Sequence, residues 1–282
     1  MSNEVPMQDA SAVSRGRTWF DGLTEQAPKR PGVAQSILVA DATLCKHNAR
    51  FIAVVPDPHN RFPRARHGEV GLEQGWALAR QVRETIDEAQ AAGSGEHIPI
   101  IAIVDVVGQA YGRREELMGI HIACAAAANA YADARMAGHP VIALIVGHAM
   151  SGAFLAHGYQ ANRIIALDAP DVLVHAMGQA AAARITRRSV EELVKLGERI
   201  PPMSYDIRNY HKLGLLDRLI ENVDADAPDA AALATVRQVL TNTIESVLAE
   251  STRDLSARYR SKEAQTARAA SIEVRKRIAE QW

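Results

Sequence analysis

At 282 residues, with 48% hydrophobic and 23% charged residues, the chain can bury a full core as one large domain or as a domain with a helical appendage. A formal net charge of −1 excludes general nucleic-acid binding, which needs an excess of Lys and Arg to displace counterions. No apolar run approaches the roughly 20 residues that span a bilayer, no apolar segment of secretory type follows the N-terminus, and Cys45 and Cys124 form no framework, so the composition predicts a soluble cytoplasmic protein without a metal cluster.

Residues 1–16 are small and polar and read as a disordered start. In the next segment, RTWFDGLT (17–24), Trp19 and Phe20 are placed to dock on an apolar surface. SILVA (36–40) and RFIAVVP (50–56) read as two strands joined by a short turn. A loop over 57–67 follows, carrying Arg61, Arg64 and Arg66 beside His59 and His67. Apolar residues at three- and four-residue spacing predict a helix over 69–91. IPIIAIVDVVG (98–108) has no polar alternation and reads as a strand covered on both faces. An Ala-rich helix is predicted over 114–137, ending at Gly138. PVIALIVG (140–147) is a second covered strand, followed by a short helix over 151–157 and strands at 163–168 and 172–176. Beyond 188 the chain reads as helical: Ser189 with Glu192 forms a capping box, and the last two helices are expected at 229–250 and 252–281. The expected domains are a core over 17–220 and a helical segment over 221–282.

Two places share one layout of covered strand, glycine-bearing turn and helix: residues 101–112 and residues 142–154. Each leaves backbone N–H groups without partners beyond the strand's C-terminal end, where they can hold an oxyanion. Glycine keeps side chains away from the approaching oxygen. The small residues of 122–134 would let the two turns sit close together. Tyr111, His148 and His175 lie in or beside this crevice as candidate proton donors. Ser151 reads as the N-cap of its helix rather than as a nucleophile, because GHAMSG is not a GxSxG elbow.

The region 99–185 resembles the carboxyltransferase branch of the crotonase superfamily. GHAMSGAF (147–154) stands where that family has a GxxxSGG-like turn, with Ala153 in place of the second glycine, and LGLLDRLI (213–220) resembles the segment that closes many crotonase-type cores. The stretches NRFPRARHGEVGLEQGWALA (60–79), GQAYGRREELMGI (108–120) and HAMGQAAAARITRRSVEEL (175–193) are similar to the malonate decarboxylase gamma subunit family. The resemblance implies an α/β, crotonase-like spiral fold of repeated ββα units with C-terminal helices. It also implies a partner beta subunit, a transferase alpha subunit, and an acyl carrier protein whose CoA-derived arm bears malonate as a thioester, with no cofactor or metal on this chain. Decarboxylation would use the N–H groups near Gly108, Gln109, Gly152 and Ala153 against the carboxylate or the enolate; of the candidate donors Tyr111, His148 and His175, His148 stands slightly ahead because it follows the strand directly. Arg61, Arg64 and Arg66 would meet the carrier, and Arg184, Arg187 and Arg188 form a second basic patch. Two other readings stand beside it, a biotin-dependent carboxyltransferase subunit and a non-catalytic scaffold for the partner.

Overall fold

The runs at 100–106 and 141–150 are almost entirely Ile, Val, Ala and Leu and have no polar face to turn to water, so both become strands buried on two sides. The computed structural model describes residues 14–93 and 95–282. Its strands are β1 (Ile37–Leu44), β2 (His47–Val54), β3 (Ile100–Val106), β4 (Val141–Met150), β5 (Arg163–Leu167), β6 (Leu173–His175) and β7 (Arg218–Ile220). The helices before β6 are α1 (Arg15–Leu23), α2 (Leu72–Ala92), α3 (Arg113–Leu117), α4 (Ile120–Met136) and α5 (Ser151–Ala156). After it come α6 (Gln179–Thr186), α7 (Val190–Arg199), α8 (Ile207–Lys212), α9 (Ala230–Ala249), α10 (Ala257–Arg260), α11 (Lys262–Ala267) and α12 (Ala269–Gln281).

The main sheet runs β1-β2-β3-β4-β5-β7. Only the β1–β2 hairpin is antiparallel. β4 is shared between two layers: Ile142–Ile145 pair with β5, whereas His148–Met150 pair with β6. The β3–β4 ladder shifts register between Val104 and Val106, and a lone parallel bridge joins Val70 to Gln109. A long strand, a short second-layer segment and a helix therefore recur along the chain, which is the ββα spiral expected.

At this irregularity one β3 residue, Asp105, faces three on β4, residues 146–148. Its carboxylate accepts the backbone N–H of Gly16 at 3.1 Å and of His148 at 3.2 Å, tying the start of α1 to the middle of β4. A Cβ at Gly147 would fall on that carboxylate, so glycine is required there. Trp19 and Phe20 dock as expected and are fully buried, with the Trp19 indole N–H donating to Ala225 O at 2.9 Å.

Several boundaries differ from the sequence reading. The disorder expected over 1–16 falls largely on residues outside those described, whereas residues 14–16 are helical or cap the helix: Ser14 Oγ accepts the Arg17 N–H and Arg15 pairs with Asp226. The helix expected over 114–137 is two, α3 and α4, because Gly119 adopts φ +81 and interrupts the helical path. The helix expected over 252–281 is three, α10 to α12, because Ser261 caps a new start by accepting the Ala264 N–H. α9 packs Val236, Leu240, Ile244 and Val247 into the same core as the sheet. Among the described residues, no helix is long and apolar enough to cross a membrane.

Candidate active site

β3 and β4 are neighbours in register, so the turns that follow them open side by side. Adjacency therefore comes from strand pairing. The small residues of α4 serve a different contact, the close approach of α2, where a Cβ on Gly75 would lie 2.8 Å from the Ala123 carbonyl.

At the first turn Gly108 has φ +151, a conformation that side-chain-bearing residues rarely adopt. Its carbonyl accepts the Val70 N–H at 3.0 Å, and the Ala110 N–H returns to Val70 O at 2.8 Å, which pins the turn between those two bonds. At the second turn Ser151 itself lies in the left-handed region, with φ +51. A serine held there carries local strain of about 1–3 kcal/mol, which the surrounding structure must offset. The N-cap of α5 is Met150, so the capping role expected of Ser151 is not the one it has. Its Oγ instead accepts the backbone N–H of Gln109 at 3.4 Å, from the other turn. Gly152 completes the junction: a Cβ there would fall on Oε1 of the Gln109 side chain.

The N–H groups of Gly152 and Ala153 open α5, where no preceding turn supplies an acceptor, and neither finds one among the described residues. Gly152 lines the adjacent cavity, whereas Ala153 is fully buried behind it. That cavity, of about 400 Å³, has walls that include Ser151, Gly152, Phe154, Tyr159, His175 and Tyr210. His175 reaches this wall from β6 and stacks on Tyr205, ring centroids 3.9 Å apart. Its Nδ1 lies 3.2 Å from Met177 O, and burial lowers its pKa from the usual histidine value, favouring a neutral ring. The Tyr210 hydroxyl is buried without a hydrogen-bond partner, and burial pushes its pKa up, so it stays a neutral phenol.

Of the residues singled out in the sequence, the fold brings Gly108, Gln109, Gly152 and Ala153 together, but only Gly152 of these four lines the cavity, with His175 on the same wall. Tyr111 lies 56% exposed under the Arg64 guanidinium, 4.9 Å from its ring, and His148 is half-buried in the β4–β6 ladder; neither lines the cavity. The 61–66 arginines all have partners within the chain. Arg61 sits 3.4 Å from Glu73, Arg64 is 2.9 Å from Glu69, and Arg66 donates to Asn60 O at 2.8 Å. Tyr210 has no signal in the sequence, since it is 58 residues from Gly152 and 102 from Gly108 and nothing in RNYHK marks its hydroxyl as unpaired.

A family model described as malonate decarboxylase gamma subunit matches residues 65–282. The chain is 53% identical to a chain of a Pseudomonas malonate decarboxylase hetero-tetramer in complex with coenzyme A, over 96% of this chain and 100% of that one, with a TM-score of 0.90. Against a Pseudomonas MdcD–MdcE hetero-dimer the identity is 52% over the same shares, with a TM-score of 0.87. A curated relative, the malonyl-S-ACP:biotin-protein carboxyltransferase MADD of Malonomonas rubra, is 36% identical over 167 residues, 59% of this chain and 57% of its own length. The chain thus spans little more than half of that relative. Transcarboxylase 12S, at 18% identity and a TM-score of 0.62 over 87% of this chain and 42% of its own, shares the crotonase-type fold.

Proposed function

The chain belongs to the malonate decarboxylase gamma subunit family, and we propose that with a beta subunit it converts a malonyl thioester on an acyl carrier protein to the acetyl thioester and CO2. The C–C bond to the carboxylate breaks, CO2 leaves, and the electron pair passes to the thioester carbonyl as an enolate. The α-carbon then takes up one proton. The barrier lies in the charge that grows on the enolate oxygen, so the useful groups are donors fixed where that charge appears.

The observation that carries this reading is the meeting of the two turns, Gln109 N–H on Ser151 Oγ at 3.4 Å, with the free N–H groups of Gly152 and Ala153 alongside. The two sets of main-chain donors are thus neighbours, with Gly152 the member that lines the cavity, and the Gln109 N–H can exchange a long bond for a charged acceptor. In this scheme the beta subunit holds the thioester and these turns meet the carboxylate or the enolate. Of the candidate proton donors, His175 is the one on the cavity wall: with Nδ1 engaged by Met177, its Nε2 is free to orient the water that protonates the α-carbon. His148 and Tyr111 remain outside that path. A transferase alpha subunit that loads the carrier completes the proposal.

The test is CO2 release from malonyl-carrier by the beta–gamma complex carrying Gly152→Val, which should lose turnover while the subunit still assembles. Full activity would overturn the site. The similarity to the Malonomonas carboxyltransferase supports a second reading, transfer of the carboxyl group to a biotin protein. Turnover that requires added biotin protein and is blocked by avidin would favour it; CO2 release without biotin favours decarboxylation.

A further inference from the structure

The α6–α7 hairpin has a small apolar centre of its own, Ala182, Ala183 and Leu193 with Met177 and Val190, separate from the main core. Its outer surface carries Arg184, Arg187 and Arg188, all exposed, and among the described residues none of the three has a carboxylate partner. This contrasts with Arg61, Arg64 and Arg66, each already engaged. Ile185 stands among the three arginines and is 69% exposed.

Arg187 adds an independent sign. It closes α6 at φ +55, a left-handed position where glycine is the residue of lowest cost. An arginine kept there holds its charge at the expense of local backbone strain. Glu192, in the first turn of α7, accepts the Ser189 N–H at 2.8 Å in a capping box.

The location links this surface to the site. α6 starts at Gln179, four residues beyond His175, which lines the cavity beside Gly152. α6 is eight residues, about 12 Å, long and begins four residues from His175, so the arginines follow the cavity wall closely in the chain.

We infer that the surface formed by Arg184, Ile185, Arg187 and Arg188 is the docking face for an acidic acyl carrier protein, which threads its thioester arm along α6 to the cavity at Gly152. The identity of the carrier rests on the function proposed above; the surface rests on charge without counter-charge, an exposed apolar centre and the strained Arg187. Basic side chains at the rim steer an acidic partner and make its binding depend on ionic strength.

The experiment measures binding of malonyl-loaded carrier to the beta–gamma complex by calorimetry, beside CO2 release from malonyl-N-acetylcysteamine, a thioester with no carrier. Arg184→Glu/Arg187→Glu/Arg188→Glu should weaken carrier binding about tenfold or more at low ionic strength and leave turnover of the small thioester unchanged. Arg187→Gly, which relieves the backbone while removing one cation, should weaken binding without lowering stability. Unchanged carrier affinity in both variants overturns the docking face, as does an equal loss with both substrates. A wild-type complex that binds carrier but releases no CO2 from it would overturn the proposed reaction and leave the docking face standing.

Discussion

The backbone N–H of Gln109 lies 3.4 Å from the hydroxyl oxygen of Ser151, although 42 residues separate them. That one contact fixes the relation of the two turns. It also explains the glycine that follows: the Gln109 side chain fills the space over Gly152, so any side chain at 152 must displace a flexible amide and not a wall of backbone.

Gly152→Ala should therefore fold. The added methyl pushes Gln109 aside and shields the N–H groups at the start of α5, with a loss of about 2.7–4 kcal/mol of transition-state stabilisation, or 10²–10³ in kcat. If the displaced amide alone were responsible, Gly152→Ala/Gln109→Ala would recover the rate. We expect no recovery, because the methyl still screens the donors. Steady-state CO2 release by both variants in the assembled complex decides it, with thermal melting as the control for folding.

Acid should weaken this protein through His157. The ring is fully buried, with Nε2 2.9 Å from Ile103 O and Nδ1 2.9 Å from the Tyr131 hydroxyl. Burial holds its pKa down at about 4, against 6.5 for a free histidine. Because the unfolded chain binds the proton more readily, stability is full above about pH 6.5 and falls as pH drops towards 4. The loss is about 3 kcal/mol for a shift of this size. Urea midpoints at pH 7, 6, 5 and 4.5 should move steadily downward; a flat profile would show that His157 is not held neutral.

How much of this was legible in the sequence follows from what each feature depends on. The covered strands announce themselves, since a run such as Ile100–Val106, six apolar residues and a single acid, can only be buried on both faces. The two glycine turns were equally plain, because a strand that ends in glycine before a helix has few geometries open to it. Ser151 does not cap its helix: β4 stays paired with β6 up to Met150, which is the N-cap, and this pairing is not contained in a local reading. The break of the last helix was missed for a similar reason. Helical propensity runs on through 252–281, and the interruption at Ser261 is set by contacts of Ala264 with Gly214, some 50 residues away.

Those contacts predict a localised effect. Gly214 has φ +69, and a Cβ there would collide with the backbone and the side chain of Ala264, which is fully buried. Backbone cannot swing aside as the end of a glutamine can. Gly214→Ala should thus loosen α11 and α12 from the body while the sheet keeps its protection. Hydrogen exchange should rise over 257–281 and stay unchanged over β3 and β4; a uniform rise would mean that Gly214 supports the whole fold.

The C-terminal segment is also held by charge. Arg163, at the start of β5 and only 6% exposed, lies 3.1 Å from Asp217 beside β7 and 2.6 Å from Glu250 at the end of α9. Burial raises the pKa of Asp217, and the guanidinium beside it opposes that rise. Arg163→Met removes the cation and leaves Asp217 partly buried without it, while Glu250 keeps Arg260 at 3.3 Å; losing one member of such a buried pair costs about 3 kcal/mol. Adding Asp217→Asn and Glu250→Gln removes both carboxylate charges and should recover most of the loss, because the methionine retains much of the arginine's packing. Denaturant midpoints of the single and triple variants measure both steps. If the triple variant is no more stable than Arg163→Met, the arginine acts through its packing and its bond to Asn162 O, and not through the two carboxylates.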